Sequence, residues 1–152
     1  MLTEQQKEKL NKIFKESQVV LAYLFGSAAR GKMGPLSDID IAVLFSEKIK
    51  SNDYFDKRLK LASEIEGILG VCKIEIISLN EAPPLLKHRA IFYGIPIFIS
   101  DQKLKRIFEF QVLQEFEDFK YHLETSFKIM RRQIKKGTFG KPLISIYSKF
   151  VK

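Results

Sequence analysis

Apolar residues recur along this chain with two different periods, and the places where the period changes outline its elements. Leu10, Ile13 and Phe14 fall at helical spacing behind Thr3 and Gln6, which fit a capping box, so the chain opens on a helix. The run VVLAYLF, residues 19–25, is short, β-branched or aromatic at several positions, and stopped by Gly26, as a buried strand would be. A loop rich in Gly, Ser and Pro covers residues 26–37, and residues 39–45 read as a second strand. Asn52 or Asp53 then caps a helix whose apolar stripe is Phe55, Leu59, Ala62, Ile65 and Leu69, with Gly70 as its stop. VCKIEIISL, residues 71–79, alternates as a third strand does. Pro83 and Pro84 open a short helix over 85–93, and IPIFIS, residues 95–100, makes a fourth strand placed at a sheet edge by Pro96.

From residue 101 the pattern is helical for about thirty-five residues, without Pro or Gly until Gly137. Val112, Phe116, Phe119, Leu123, Phe127, Met130 and Ile134 form one stripe at steps of three and four, while Phe108, Phe110, Leu113 and Tyr121 lie off it. That is more apolar surface than one contact face uses, and two readings stand: packing on the core, or a protein interface. GTFGKP, residues 137–142, breaks the helix before a last amphipathic piece. The expected architecture is α/β of the α+β kind: a small mixed sheet of about four strands flanked by helices, with a long C-terminal helix. Residues 1–100 make the core, 101–136 the long helix and 137–152 a basic tail, in a single domain overall.

Composition narrows the class without changing that picture. The 152 residues suffice for one compact domain, and 45% hydrophobic with 29% charged residues is ordinary for a globular chain. The polar N-terminus and an apolar run of only seven residues at 19–25 argue against a membrane span and for the cytoplasm. One cysteine, Cys72, allows no internal disulfide, has no zinc-ligand spacing around it, and reads as a buried thiol. The formal charge of +8 is placed unevenly, because residues 128–152 hold eight basic residues and no acid while the rest balances. Such a tail meets RNA, an acidic partner or only solvent. It lacks a stacking platform's aromatic interleaving apart from Phe139, Tyr147 and Phe150.

The candidate chemistry lies where the second strand begins. Side chains alternate along a strand, so Asp38 and Asp40 share one face, about 7 Å apart. Two carboxylates there repel each other and are costly to bury unless a cation neutralises them; hard oxygen ligands suit Mg²⁺, with Mn²⁺ as the alternative. Taken alone, the pair reads equally as a turn-closing Asp38 and a solvated Asp40. In KIEIISL, however, Glu75 points opposite to Ile74 and Ile76, and on a neighbouring strand it would complete a three-carboxylate cluster with a general base. Ahead of the acids, Gly26 lets a phosphate approach the backbone, and the Ser27 hydroxyl can donate to its oxygens. Ten residues separate Ser27 from Asp38.

That order, GSAARG followed by SDIDIAVL, resembles the nucleotidyltransferase superfamily that includes DNA polymerase beta, and most of all the minimal nucleotidyltransferases, which are often paired with HEPN-domain ribonucleases in toxin–antitoxin modules. The resemblance covers residues 19–100. It implies that Gly26 and Ser27 anchor the triphosphate, that Asp38 and Asp40 hold the metal, usually as two Mg²⁺ ions, and that Glu75 stands at the third carboxylate. Glu75 departs from the family, where aspartate is usual. Arg30 either pairs with phosphate oxygens or is a surface arginine. The implied activity is transfer of a nucleoside monophosphate, AMP from ATP, to a tyrosine hydroxyl of a HEPN toxin. His88 and His122 have no part in it, and the chain lacks the arginine–histidine pair of a HEPN ribonuclease. Two other classes remain open at this stage: an antitoxin that neutralises by binding alone, and a transferase acting on a small molecule or an RNA end.

Overall fold

A computed structural model of the protein describes residues 3–26, 29, 31, 38–70 and 73–138. Helix α1, Glu4–Glu16, starts on the expected reciprocal cap, with the Gln6 N–H donating to Thr3 Oγ1 and the Thr3 N–H to Gln6 Oε1. Strands β1, Val19–Phe25, and β2, Ile39–Phe45, follow, then helix α2, Tyr54–Leu69, strand β3, Ile74–Ser78, helix α3, Pro84–Phe92, strand β4, Ile95–Ile99, and helix α4, Gln102–Lys136. The four strands form one mixed sheet in the order β3-β2-β1-β4. β1 runs antiparallel to both β2 and β4, and β2 runs parallel to β3, which it reaches through α2. β4 is an edge strand, where the missing N–H of Pro96 interrupts no central ladder.

Each face of the sheet buries its own cluster. On one face Ile41, Val43 and Phe45 of β2 and Ile74 and Ile76 of β3 meet Leu10 and Phe14 of α1 and Leu61 and Ile65 of α2. On the other, Leu21 and Tyr23 of β1 and Ala42 of β2 meet Ala90 and Ile91 of α3 and Val112 of α4, with Leu104 and Phe108 packed alongside. Tyr23 is fully buried, and its hydroxyl donates to Glu109 Oε1 at 3.0 Å; Lys105 Nζ lies 2.9 Å from the same oxygen. Burial and then the Glu109 carboxylate raise the Tyr23 phenol above its ordinary 10.0, so it stays a donor. The side-chain amide of Asn80 pairs with the backbone of Phe45 in both directions and finishes the β2–β3 end of the sheet.

The structure corrects the helical detail. In α2 the buried positions are Leu61 and Ile65, whereas Phe55 and Leu59 of the expected stripe are 59% and 57% exposed. A short 3₁₀ turn, Ser51–Asp53, leads into this helix, and the Asp53 side chain makes no cap bond. Gly70 ends the helix in the left-handed region, as expected. In α4 only Val112 of the stripe is fully buried; Leu123, Phe127 and Ile134 are exposed, and Phe108, off the stripe, packs into the core. By compactness the chain divides into two units, Met1–Phe116 and Glu117–Lys152. Cys72 and the tail from residue 139 lie outside the described residues. No described helix is long and apolar enough to cross a membrane.

Candidate active site

β1 and β2 run side by side so that Phe25 stands opposite Asp40, and β3 places Glu75 opposite Asp40 from the other side. Residues in register share a face, so both acids lie on the face that carries Tyr23 and Ala42. Asp38 immediately precedes β2 and is bound by Lys73, whose Nζ lies 3.2 Å from its Oδ2. Sequence reading passed over Lys73, although parallel pairing of Ile39 with Ile74 puts it directly beside Asp38. Glu75 is exposed and stands in register with Asp40 on the neighbouring strand.

Asp40 is held above the ordinary carboxylate range, first by burial, then by the charges of Glu75 and Asp38, with the Glu75 hydrogen bond favouring its protonated form. Carboxylate oxygens such as those of Asp38 and Asp40 are the donors a hard divalent cation takes. Gly26 closes the other side. Its φ is +73°, and a Cβ built there would fall 2.5 Å from Asp40 Oδ2, so only a bare backbone fits against that carboxylate. Among the described residues no three His, Cys, Asp or Glu side chains are arranged to hold a metal ion by themselves. Ser27 and Arg30 lie outside the described residues.

A cavity of about 830 Å³ adjoins Gly26, lined also by Phe25, by His88, Arg89 and Tyr93 at α3, and by Phe116 of α4. Nothing in the residue pattern points to it, since α3 announces itself only through its two prolines. The His88 ring stacks on Phe116 at 3.7 Å between centroids. His122, also set aside in the sequence, makes an edge contact with Tyr121.

Comparison with known proteins places the chain in a family. The family model described as polymerase beta, nucleotidyltransferase, matches residues 8–103. The protein MJ0435 of Methanocaldococcus jannaschii, provisionally named a protein adenylyltransferase, is 35% identical over 91 residues, covering 60% of this chain and 92% of its own. The protein adenylyltransferase MntA of Aphanizomenon flos-aquae is 41% identical over 71 residues, 43% of this chain and 47% of that one. Among solved structures, a toxin–antitoxin with AMP-PNP shares the fold at a TM-score of 0.67 and 21% identity, over 82% of this chain and 98% of its own. A complex of tri-AMPylated Shewanella oneidensis HEPN toxin with its MNT antitoxin does so at 0.63 and 19%, over 86% and 99%. With its carboxylates in register on β2 and β3, and with a family match that spans every strand of the sheet, the chain belongs to the polymerase beta nucleotidyltransferase family.

Proposed function

We propose that this nucleotidyltransferase is a Mg²⁺-dependent protein adenylyltransferase that moves AMP from ATP onto a tyrosine hydroxyl of a HEPN-domain ribonuclease toxin, acting in the cytoplasm as the antitoxin of that pair. The observation that carries the reading is the placement of Asp40, which is in register with Glu75 and pressed against the bare backbone of Gly26. Metal-binding carboxylate, candidate base and phosphate approach thus meet at one point. The names of the relatives supply the acceptor class, and the exposed Phe110, Tyr121 and Phe127 of α4 supply apolar surface for a protein partner.

In this reading Asp38 and Asp40 hold the Mg²⁺. When bound, the ion supplies charge neutralisation at the α-phosphate and at the departing pyrophosphate. Gly26, with Ser27 beside it, takes the triphosphate against the backbone. Glu75 accepts the proton of the tyrosine hydroxyl as its oxygen bonds to the α-phosphorus; the bond to the β-phosphate bridge breaks and pyrophosphate leaves with the electron pair. Lys73 neutralises Asp38 in the metal-free site, and a bound ion would compete with it for that carboxylate.

The test is incubation of the chain with its HEPN partner, ATP and Mg²⁺, followed by mass spectrometry of the partner. AMP on a partner tyrosine, lost in Asp38→Ala and Asp40→Ala, is the expected result. A partner left unmodified with every nucleotide and metal tried, yet still neutralised by both variants, would assign neutralisation to binding alone and overturn the transferase reading.

A further inference from the structure

The sheet has two edges, and they are guarded differently. β4, at one of them, carries Pro96 and runs beside Asn11 and Lys15 of α1, features that keep a further strand from adding. β3, at the other, contains no proline and lies next to the carboxylates. Its pairing with β2 shows which of its backbone groups are already engaged. The Ile39 N–H donates to the Lys73 carbonyl at 3.2 Å and the Leu79 N–H to the Val43 carbonyl at 2.8 Å, so the odd-numbered residues here turn their backbone toward β2. Ile74, Ile76 and Ser78 turn theirs to the free edge. The Ile74 N–H is taken by Glu66 Oε1 at 3.0 Å, and the Ser78 carbonyl by the Ala82 N–H at 3.1 Å. Between these closures the Ile74 carbonyl, both backbone groups of Ile76 and the Ser78 N–H have no partner among the described residues.

A bare row of this kind is completed by an extended segment, which gains affinity from main-chain bonds. Side chains alternate along a strand, so the residue of an added strand in register with Glu75 shares the face of Glu75 and Asp40. Its Cβ would lie about 5 Å from that of Glu75. On the other side of Asp40 stand Phe25 and Gly26, where the triphosphate approaches in the reading above. In-line displacement puts the attacking hydroxyl and the leaving pyrophosphate on opposite sides of the α-phosphorus, so an acceptor served by Glu75 enters from the β3 side. We propose that the tyrosine-bearing segment of the acceptor protein binds as an extended strand on the free edge of β3, with its tyrosine in register with Glu75. The inference rests on the transferase reading and adds to it how the acceptor is held. Backbone pairing selects a segment for being extended, whatever side chains flank its tyrosine.

The full chain, saturated with its HEPN partner in the absence of ATP, is followed by amide hydrogen exchange in NMR. Exchange at Ile76 should slow about tenfold relative to the free chain, the gain of one main-chain bond, while Leu79, already bonded to Val43, serves as the unchanged reference. Ile76→Pro removes the donor at the edge and leaves the bonds to β2 in place. It should raise the KM for the partner about tenfold with ATP binding unaltered, and Ile76→Val, which keeps the N–H, should behave as the wild type. Unchanged exchange at Ile76 in a complex that transfers AMP once ATP and Mg²⁺ are added would overturn strand addition and leave the transferase reading standing. A folded Ile76→Pro chain with the wild-type KM would do the same; where melting shows that this variant does not fold, the exchange measurement decides alone. Protection of Ile76 that grows with the concentration of the chain by itself would give the edge to a second copy and overturn the proposal. A partner left unmodified by the wild type would overturn both readings.

Discussion

Gly26 and Asp40 show how little room the site leaves at single residues. Gly26→Ala would place a methyl 2.5 Å from Asp40 Oδ2 in a backbone conformation at φ +73° that L residues disfavour by about 1–2 kcal/mol. The fold should survive with a melting temperature lower by a few degrees. Displacing the carboxylate by a fraction of an ångström should cut AMP transfer about 100-fold, which single-turnover assays read directly. Asp40 itself opposes stability in the metal-free protein. Its folded pKa lies above the ordinary 3.8, so between the two values the folded state holds more protons than the unfolded one, and stability falls as pH rises through that window. Asp40→Asn removes this penalty. In EDTA at pH 7 to 8 the variant should melt above the wild type, with the gap closing as pH falls toward 3.8, while transfer is lost. A variant that melts below the wild type across the whole range would contradict the carboxylate repulsion inferred here.

At the scale of elements, the sheet was legible and the helix faces were not. β1 and β2 begin and end where their β-branched and aromatic runs do, and the alternation of Ile74, Glu75 and Ile76 assigned both faces of β3, because a strand offers only two choices. A helix offers a continuous circle. In α2 the expected stripe reaches the core through Ala62, Ile65 and Leu69, but Leu61 and Ile68 pack there as well while Phe55 and Leu59 face solvent, a rotation that only contact with the rest of the cluster settles. The acids were legible for the same reason as the sheet, whereas Arg89, Tyr93 and Lys73 gain meaning only from neighbours distant in sequence. The Tyr23–Glu109 hydrogen bond is a case in point, since it fastens α4 to β1 across 86 residues. Tyr23→Phe should cost about 1.5–3 kcal/mol at neutral pH, a bond to a charged acceptor. Because folding raises the Tyr23 pKa above 10.0, wild-type stability should fall as pH climbs past that value, while Tyr23→Phe lacks this slope. Chemical denaturation of both proteins from pH 8 to 11 should show the difference between them narrowing above pH 10.

The whole molecule divides its labour between two compact units. Every residue assigned to metal, phosphate or base lies in the first, whereas the second carries Tyr121, Leu123, Phe127, Ile129 and Ile134 exposed on a helix. Large apolar side chains left in water at this density are costly to solubility unless a partner covers them. The charge pattern points the same way, since basic residues gather from Lys128 onward with no acid among them, and such a surface draws in an acidic protein more readily than a neutral one. Chemistry and partner binding should therefore separate by mutation. Tyr121→Ser combined with Phe127→Ser removes two aromatic anchors that contribute nothing to the buried clusters, so melting should be unchanged. Association with the proposed HEPN partner should weaken roughly 30-fold or more, the loss expected of aromatic hot spots, while ATP binding stays within about twofold of the wild type. Titrating partner and ATP separately into the double variant decides the matter. If partner affinity holds, the exposed face of α4 is not the docking surface; if ATP binding falls with it, the two units do not act separately. If only the partner is lost, AMP transfer should fail in dilute mixtures and recover as partner concentration is raised, because the site that performs the reaction has not been altered.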